Sequence, residues 1–140
     1  MKIAQGKIGR YSDAIDSLRH AQDIRMKELG EEHTEVAATI HNIGNVHQQS
    51  GNFPKAVECF ALSKQLQESS LGKNHIQVAR ASIAIGHAYF QAGEWKHSQS
   101  AYNEAMESFR GAGVAEDDDE MLNLKEDLQD VEAELERLVY

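Results

Sequence analysis

The chain has 140 residues, one cysteine, one proline and a formal net charge of −9. This length favours a single domain, and the lone Cys59 excludes an internal disulfide. No apolar run approaches the roughly 20 residues that cross a bilayer, and the first residues lack the apolar core of a signal peptide. We therefore expect a cytoplasmic protein that does not insert into membranes.

Charge is unevenly distributed along the chain. Residues 116–140 contain 11 acidic and two basic residues, so they carry the whole excess of negative charge. Residues 1–115 have equal numbers of acidic and basic side chains. Neither part has the basic surface that binding to a phosphate backbone requires, so the sequence predicts no nucleic-acid partner.

The predicted elements repeat at an interval of 42 residues. A Gly-x-aromatic triplet begins at Gly9, Gly51 and Gly93, and Leu29-Gly30-Glu31-Glu32-His33 recurs as Leu71-Gly72-Lys73-Asn74-His75. Intervals of 20–50 residues are typical of solenoids, in which each repeat is one unit of secondary structure stacked on the next. The sequence therefore predicts stacked repeat units.

The first predicted unit is incomplete. Met1 aligns with Ile43, so residues 1–8 contain only the end of a first helix, and a second helix without its partner is predicted over about 12–29. Solenoids usually need about three repeats and polar ends to be stable alone. We therefore expect a fragment, or one part of a larger array or assembly.

Two complete helical hairpins are predicted next, over about 33–71 and 75–111. From about 33 to 50, apolar residues recur at helical spacing. Gly51 ends this helix, and Pro54 is tolerated in the first turn of the next, which runs to about 71. The second unit repeats the pattern with helices over about 75–92 and 95–110.

Glycines in the middle of the first helices indicate how closely each hairpin packs. Gly44 and Gly86 each cost about 1 kcal/mol relative to Ala at such a position, so we expect a large side chain to lie over the bare backbone. The natural candidates are aromatic residues of the returning helices, Phe60 and Tyr102. The small residues Ala56 and Ser98 would let the backbones approach.

Taken together, these positions resemble a known family. The Ile-Gly pairs, the Gly-x-aromatic turns and the Ala and Phe positions are similar to the tetratricopeptide repeat. The 42-residue interval and the Leu-Gly-x-x-His-x-x-Val-Ala junction resemble its kinesin-light-chain subtype. The resemblance covers residues 1–111 and implies a solenoid that binds protein partners. It also implies that Asn42, which matches an Asn of the family motif, contacts the main chain of a bound peptide.

The sequence contains no pattern typical of catalysis or metal binding. Motifs for zinc, for a phosphate-binding loop and for an activated nucleophile are missing, so we expect neither enzyme activity, a metal nor a cofactor. His33 and His75 occupy equivalent junctions, where an imidazole can hydrogen-bond a helix end. Cys59 precedes Phe60 on a helix and is expected to be a small packing residue.

The candidate binding surface lies on the first helices, which line the concave side of stacked hairpins. Amides and imidazoles there can donate to and accept from a peptide backbone, Arg80 can pair with a carboxylate, and Phe90 can cover an apolar side chain. Ala38, Ile83 and Ala84 belong to the same stripe of first-helix residues, none of which is expected to take part in packing, and a plain solvated face is the alternative. The predicted peptide-binding residues are His41, Asn42, Asn45, Gln48, Gln49, Arg80, His87, Phe90 and Gln91.

Residues 112–140 depart from the repeat and are predicted to form an acidic linker and an amphipathic helix. Acidic residues 116–120 suit a helix N-terminus, and six apolar residues from Met121 to Leu138 follow at a 3-4-3-4-3 spacing. This seam can cover the last hairpin or pair with another helix in a coiled coil. It spans less than three heptads, so we favour a cap, with one helix from about Asp118 to Val139 folded back on the final hairpin.

The sequence therefore predicts an all-α, tetratricopeptide-type helical-hairpin solenoid over residues 1–111, with a C-terminal capping helix. Its expected function is that of a scaffold that binds a peptide or helix of a protein partner in its concave groove. The alternative is a structural subunit permanently packed in a larger multiprotein assembly.

Overall fold

The regular structure is α-helical throughout the part of the chain that the computed structural model describes, which comprises Arg19 and residues 34–139. Apart from Arg19, the predicted partial unit over residues 1–29 lies outside these residues, and so does His33. The helices beyond Arg19 agree with the predicted ones to within about two residues at each end. They are α1 (Thr34–Gln49), α2 (Phe53–Leu71), α3 (Ile76–Gln91), α4 (Trp95–Gly111) and α5 (Asp119–Arg137).

Glycines in the left-handed conformation end α1, α3 and α4. At the first of these ends, the N–H of Asn52 donates to the carbonyl of His47 at 2.9 Å, and that of Gly51 donates to Gln48 at 3.1 Å. These two bonds satisfy carbonyls that the helix leaves unpaired, and the other two ends repeat them. The glycines, with their φ angles, are Gly51 (83°), Gly93 (78°) and Gly113 (82°).

The chain forms two compact units, Met1–Ser70 and Leu71–Tyr140. In the first, α1 and α2 pack so closely that a Cβ atom on Gly44 would lie 2.7 Å from Cε1 of Phe60. The buried hydroxyl of Ser63 donates to the carbonyl of Ala37 at 2.7 Å. The predicted packing of Phe60 over Gly44 is therefore confirmed, and a buried hydrogen bond adds to it.

In the second unit, α3 and α4 pack in the same way. The Tyr102 ring lies directly over Gly86, leaving no space for a Cβ atom, which confirms the predicted contact. The buried hydroxyl of Ser98 donates to the carbonyl of Gly86 at 2.8 Å, so a small polar residue ties the two helices where they are closest. Burial raises the pKa of Tyr102, which keeps its hydroxyl protonated.

Helix α5 folds back on the final hairpin, as predicted for a capping helix. Its first turn is capped by Asp118, whose Oδ1 accepts from the N–H of Glu120 at 3.0 Å. Its buried seam joins α3 and α4 in one apolar cluster. The buried members of that cluster are Ala79, Tyr102, Ala105, Phe109, Met121, Leu124, Leu128 and Val131.

One carboxylate in the acidic linker, that of Glu116, forms ion pairs with both α4 and α5. Glu116 accepts two hydrogen bonds from Arg110, at 2.8 and 3.1 Å, and lies 3.4 Å from the Nζ of Lys125 on α5. The hydrogen bonds from Arg110 lower the pKa of Glu116 to about 2. The side chain of Val114 also packs against the apolar cluster, so the linker is part of the folded unit.

Candidate peptide-binding surface

Helix α1 leaves one polar face exposed opposite its buried face. Val36, Ile40 and Ile43 are buried, because they share the side of the helix that faces α2 and the interior. Residues at i, i+4, i+7 and i+11 share one side of a helix, and on α1 these are exposed or half-buried. They are Ala38, Asn42, Asn45 and Gln49, and the half-buried Gln48 lies beside them.

His41 differs from the rest of this surface because it also takes part in packing. Its ring lies 4.8 Å from that of Phe60, centre to centre, and burial lowers the pKa of His41. A neutral imidazole has one donor and one acceptor nitrogen. The geometry therefore makes His41 an uncharged, partly covered member of the predicted stripe.

Helix α3 repeats the same face 42 residues later. Arg80, Ala84, His87 and Gln91 have the spacing of the α1 stripe, and all except the half-buried Ala84 are exposed. The structure therefore places these predicted residues of each first helix together on one side of that helix.

Two of these α3 side chains are paired with α5. Arg80 donates from Nε and Nη2 to the two carboxylate oxygens of Glu120, at 2.8 and 3.2 Å. The Nε2 of His87 lies 3.0 Å from Oδ2 of Asp127. Donating hydrogen bonds to the Glu120 carboxylate raises the pKa of Arg80. Sequence reasoning missed Glu120 and Asp127, although each lies 40 residues after its partner.

These two pairs also fix the direction of α5. Arg80 and His87 are seven residues apart, as are Glu120 and Asp127, and the pairs keep the same order along both helices. Seven residues make about two helical turns, so α3 and α5 run side by side in the same direction. Helix α5 thus follows α3 as the first helix of a further unit would.

The expectation that Ile83 and Phe90 take no part in packing is wrong. Both are partly buried against the cluster that α4 and α5 build around Tyr102. The ring of Phe90 also meets that of Trp95 edge to face, with 5.1 Å between the ring centres. The reason is that this apolar cluster extends to the side of α3 that carries both residues.

Two further predictions concern single side chains. The Nδ1 of His75 accepts a hydrogen bond from the N–H of Gln77 at 3.0 Å and caps α3, which confirms the predicted role of this junction residue. Cys59 is half-buried, and burial raises the pKa of its thiol. The thiol therefore stays protonated and poorly nucleophilic, as suits a packing residue.

Neither a metal-binding cluster nor a membrane-spanning helix occurs among the residues that the structure describes. Across Arg19 and residues 34–139, no group of three or more His, Cys, Asp or Glu side chains is arranged to hold a metal ion. Within the same residues, no helix combines the length and the apolar composition that crossing a membrane demands.

Closely packed hairpins at a 42-residue interval, with a helix laid over the last one, define a helical-hairpin repeat protein. The family model for the tetratricopeptide repeat matches residues 4–61 and 35–111. The chain therefore belongs to the tetratricopeptide repeat family.

A solved structure has a similar fold. It is the crystal structure of BtubC (BKLC) from P. vanneervenii, with a TM-score of 0.65 and 18% sequence identity over 92% of this chain. The chain spans 55% of that structure's length, and the likeness concerns the fold alone. A comparison with curated proteins found no match.

Proposed function

We propose that the chain is a protein–protein interaction module that holds a peptide or helix of a partner in a concave groove. Within each unit, the exposed face of the first helix, α1 in one and α3 in the other, would contact the partner. Tetratricopeptide repeats generally mediate interactions between proteins, and the groove is the finer part of the proposal.

One observation carries the proposal. Both first helices leave the same stripe exposed, at i, i+4, i+7 and i+11, while most of their other sides are buried. Asn42, Asn45, Gln49 and Gln91 supply amides that can each donate and accept. An extended peptide presents N–H and C=O groups in alternation, so amides suit its main chain without demanding one sequence.

We also propose that the repeats are of the kinesin-light-chain subtype and that the protein acts in the cytoplasm. The 42-residue interval and the Leu-Gly-x-x-His junctions, of which His75 caps its helix, support the subtype. The single, half-buried Cys59 suits a reducing compartment, since disulfide frameworks belong to oxidising ones.

The proposal can be tested with peptides selected from a displayed library of random sequences. We expect the wild-type chain to select short peptides, and a variant carrying Asn42→Ala, Asn45→Ala and Gln49→Ala to bind them at least about tenfold more weakly. Loss of several hydrogen bonds of about 0.5–1.5 kcal/mol each supports this size of effect. Helix content and melting temperature should stay close to wild type, because the residues are exposed or half-buried.

A matched control replaces two exposed residues of the returning helix α2, Glu58→Ala and Gln65→Ala. This control should keep the wild-type affinity. Equal affinity of all three proteins would place the binding surface elsewhere. Failure to select any peptide would favour the alternative, a structural subunit permanently packed in a larger assembly.

A further inference from the structure

The exposed face of α3 carries one permanent positive charge, that of Arg80. Among the residues of α1 and α3 there is a single Lys or Arg, which is Arg80. The other basic residues of these helices are histidines, of which His87 is exposed on the same face as Arg80. Any preference of the α3 surface for an acidic ligand would therefore depend on these two side chains.

Helix α5 already supplies both with carboxylates. Glu120 meets one edge of the Arg80 guanidinium with both of its oxygens, which is the geometry that a ligand carboxylate would use. One oxygen of Asp127, Oδ2, lies 3.0 Å from the Nε2 of His87. About half of each basic side chain remains accessible, 49% for Arg80 and 47% for His87, so ligands can reach them although each already has a carboxylate partner.

The remainder of α5 adds to this effect. The helix contains eight acidic residues and two basic ones. An acidic ligand at Arg80 would therefore meet a pair with no net charge, next to a helix of negative charge. Such repulsion acts over about 10 Å at 0.1 M salt.

We propose that Glu120 and Asp127 determine the charge specificity of the α3 part of the groove, by discriminating against acidic peptides. This inference rests on the proposed function. It assigns α5 a second role besides covering the apolar cluster, because the two carboxylates lie on the flank of its buried seam and contact the ligand-facing side of α3.

The test compares three peptides built on one library-selected sequence, with Glu-Glu, Gln-Gln or Lys-Lys at the same flank. We expect wild type to bind the Glu-Glu peptide more weakly than the Gln-Gln peptide at low salt. In Glu120→Gln/Asp127→Asn, the ratio of these two affinities should shift toward the acidic peptide by about fivefold. Added salt should reduce the shift, because screening weakens exposed charge interactions.

Glu132→Gln/Glu136→Gln is the matched control, because it removes two carboxylates from exposed positions of α5 outside the two pairs. It should change the affinity ratio little. The same ratio in wild type and the double variant would overturn the inference. A shift equally large in the control would also overturn it, since net charge alone would then explain the preference.

A second measurement separates this inference from the proposed function. If no peptide binds the wild-type chain, the groove proposal fails, but the Arg80 Nε–H signal can still be followed by NMR during titration with acetate. We expect this signal to respond in Glu120→Gln/Asp127→Asn and to stay nearly constant in wild type. The same response in both proteins would show that Glu120 does not shield Arg80 and would overturn the inference.

Discussion

Helices α3 and α5 run in the same direction in one unit, yet they are buried in different ways. On α3, seven residues are buried, and most are small: Val78, Ala79, Ala81, Ser82, Ile85, Gly86 and Ala88. On α5, four residues are buried, all large and apolar: Met121, Leu124, Leu128 and Val131.

This difference shows that the size and polarity of the side chains distinguish a helix packed inside a hairpin from one that covers it. Small residues let α3 approach its neighbours closely, as Gly86 does under Tyr102. Large residues on α5 fill the space over the last hairpin from a single seam, and charged residues cover most of its other sides. A helix buried along one stripe and polar elsewhere suits the end of a solenoid, where a polar outer face is needed.

The largest expected effect comes from removing α5. Deletion of everything after Ala115 should lower the melting temperature sharply and promote aggregation, because it exposes the cluster around Tyr102 and Phe109. The four buried seam residues together contribute about 6–12 kcal/mol by transfer from water. Thermal unfolding and light scattering measure both effects. If the truncated chain were monomeric and as stable as the full chain, and the full chain were a dimer, then α5 would be an oligomerisation helix and not a cap.

A smaller effect is expected within the seam. Leu124 is buried and Leu122, on the other side of α5, is 44% exposed. Leu124→Ala should destabilise the chain by about 2–5 kcal/mol through lost burial and a cavity, whereas Leu122→Ala should change stability by less than about 0.5 kcal/mol. Urea unfolding of both variants measures the contrast. Similar losses would mean that α5 is buried on both sides.

The next effect tests the close approach of α3. Gly86→Leu should destabilise the hairpin by about 1–3 kcal/mol, because the Tyr102 ring occupies the space that the added side chain needs. Ala133→Leu places similar volume on the exposed side of α5 and should change stability by less than about 0.5 kcal/mol. Thermal melts of the two variants decide the point, and a wild-type melting temperature for Gly86→Leu would refute close packing there.

The smallest effect concerns the linker between the two helices. The pKa of Glu116 is lowered from its ordinary value of 4.5 to about 2 in the folded chain, so its ion pairs stabilise the fold above pH 4.5. This contribution is lost as the pH falls from 4.5 to about 2. The Glu116→Gln variant should therefore have a slightly lower melting temperature than wild type at neutral pH. This difference should disappear as the pH falls from 4.5 to about 2. If the difference in melting temperature persisted at pH 2, the ion pairs of Glu116 would not be its cause.

Much of the fold could be predicted because its signals are local or periodic. Gly51 and Gly93 end α1 and α3, because the residue after a helix often takes the left-handed conformation, which glycine adopts without strain. The pairing of Gly44 with Phe60 follows from the repeat interval and the cost of a mid-helix glycine. The α5 seam is visible as apolar residues at helical spacing, since one stripe must be buried.

The candidate site was predictable only in part. The exposed positions of Asn42 and Gln49 follow from helical periodicity, because residues opposite a buried face point outward. The packing of Phe90 depends on Trp95 and on the cluster built by α4 and α5, which periodicity within α3 does not specify.

The sequence by itself determined the repeat interval, the helices with their ends, and the seam that α5 buries, because each depends on residues within a few turns of one another. Only the tertiary structure decided that Glu120 pairs with Arg80 and Asp127 with His87. These pairs join side chains 40 residues apart. They depend on the direction of α5 and on its rotation about its own axis, which the packing of its seam on Tyr102 and Phe109 sets.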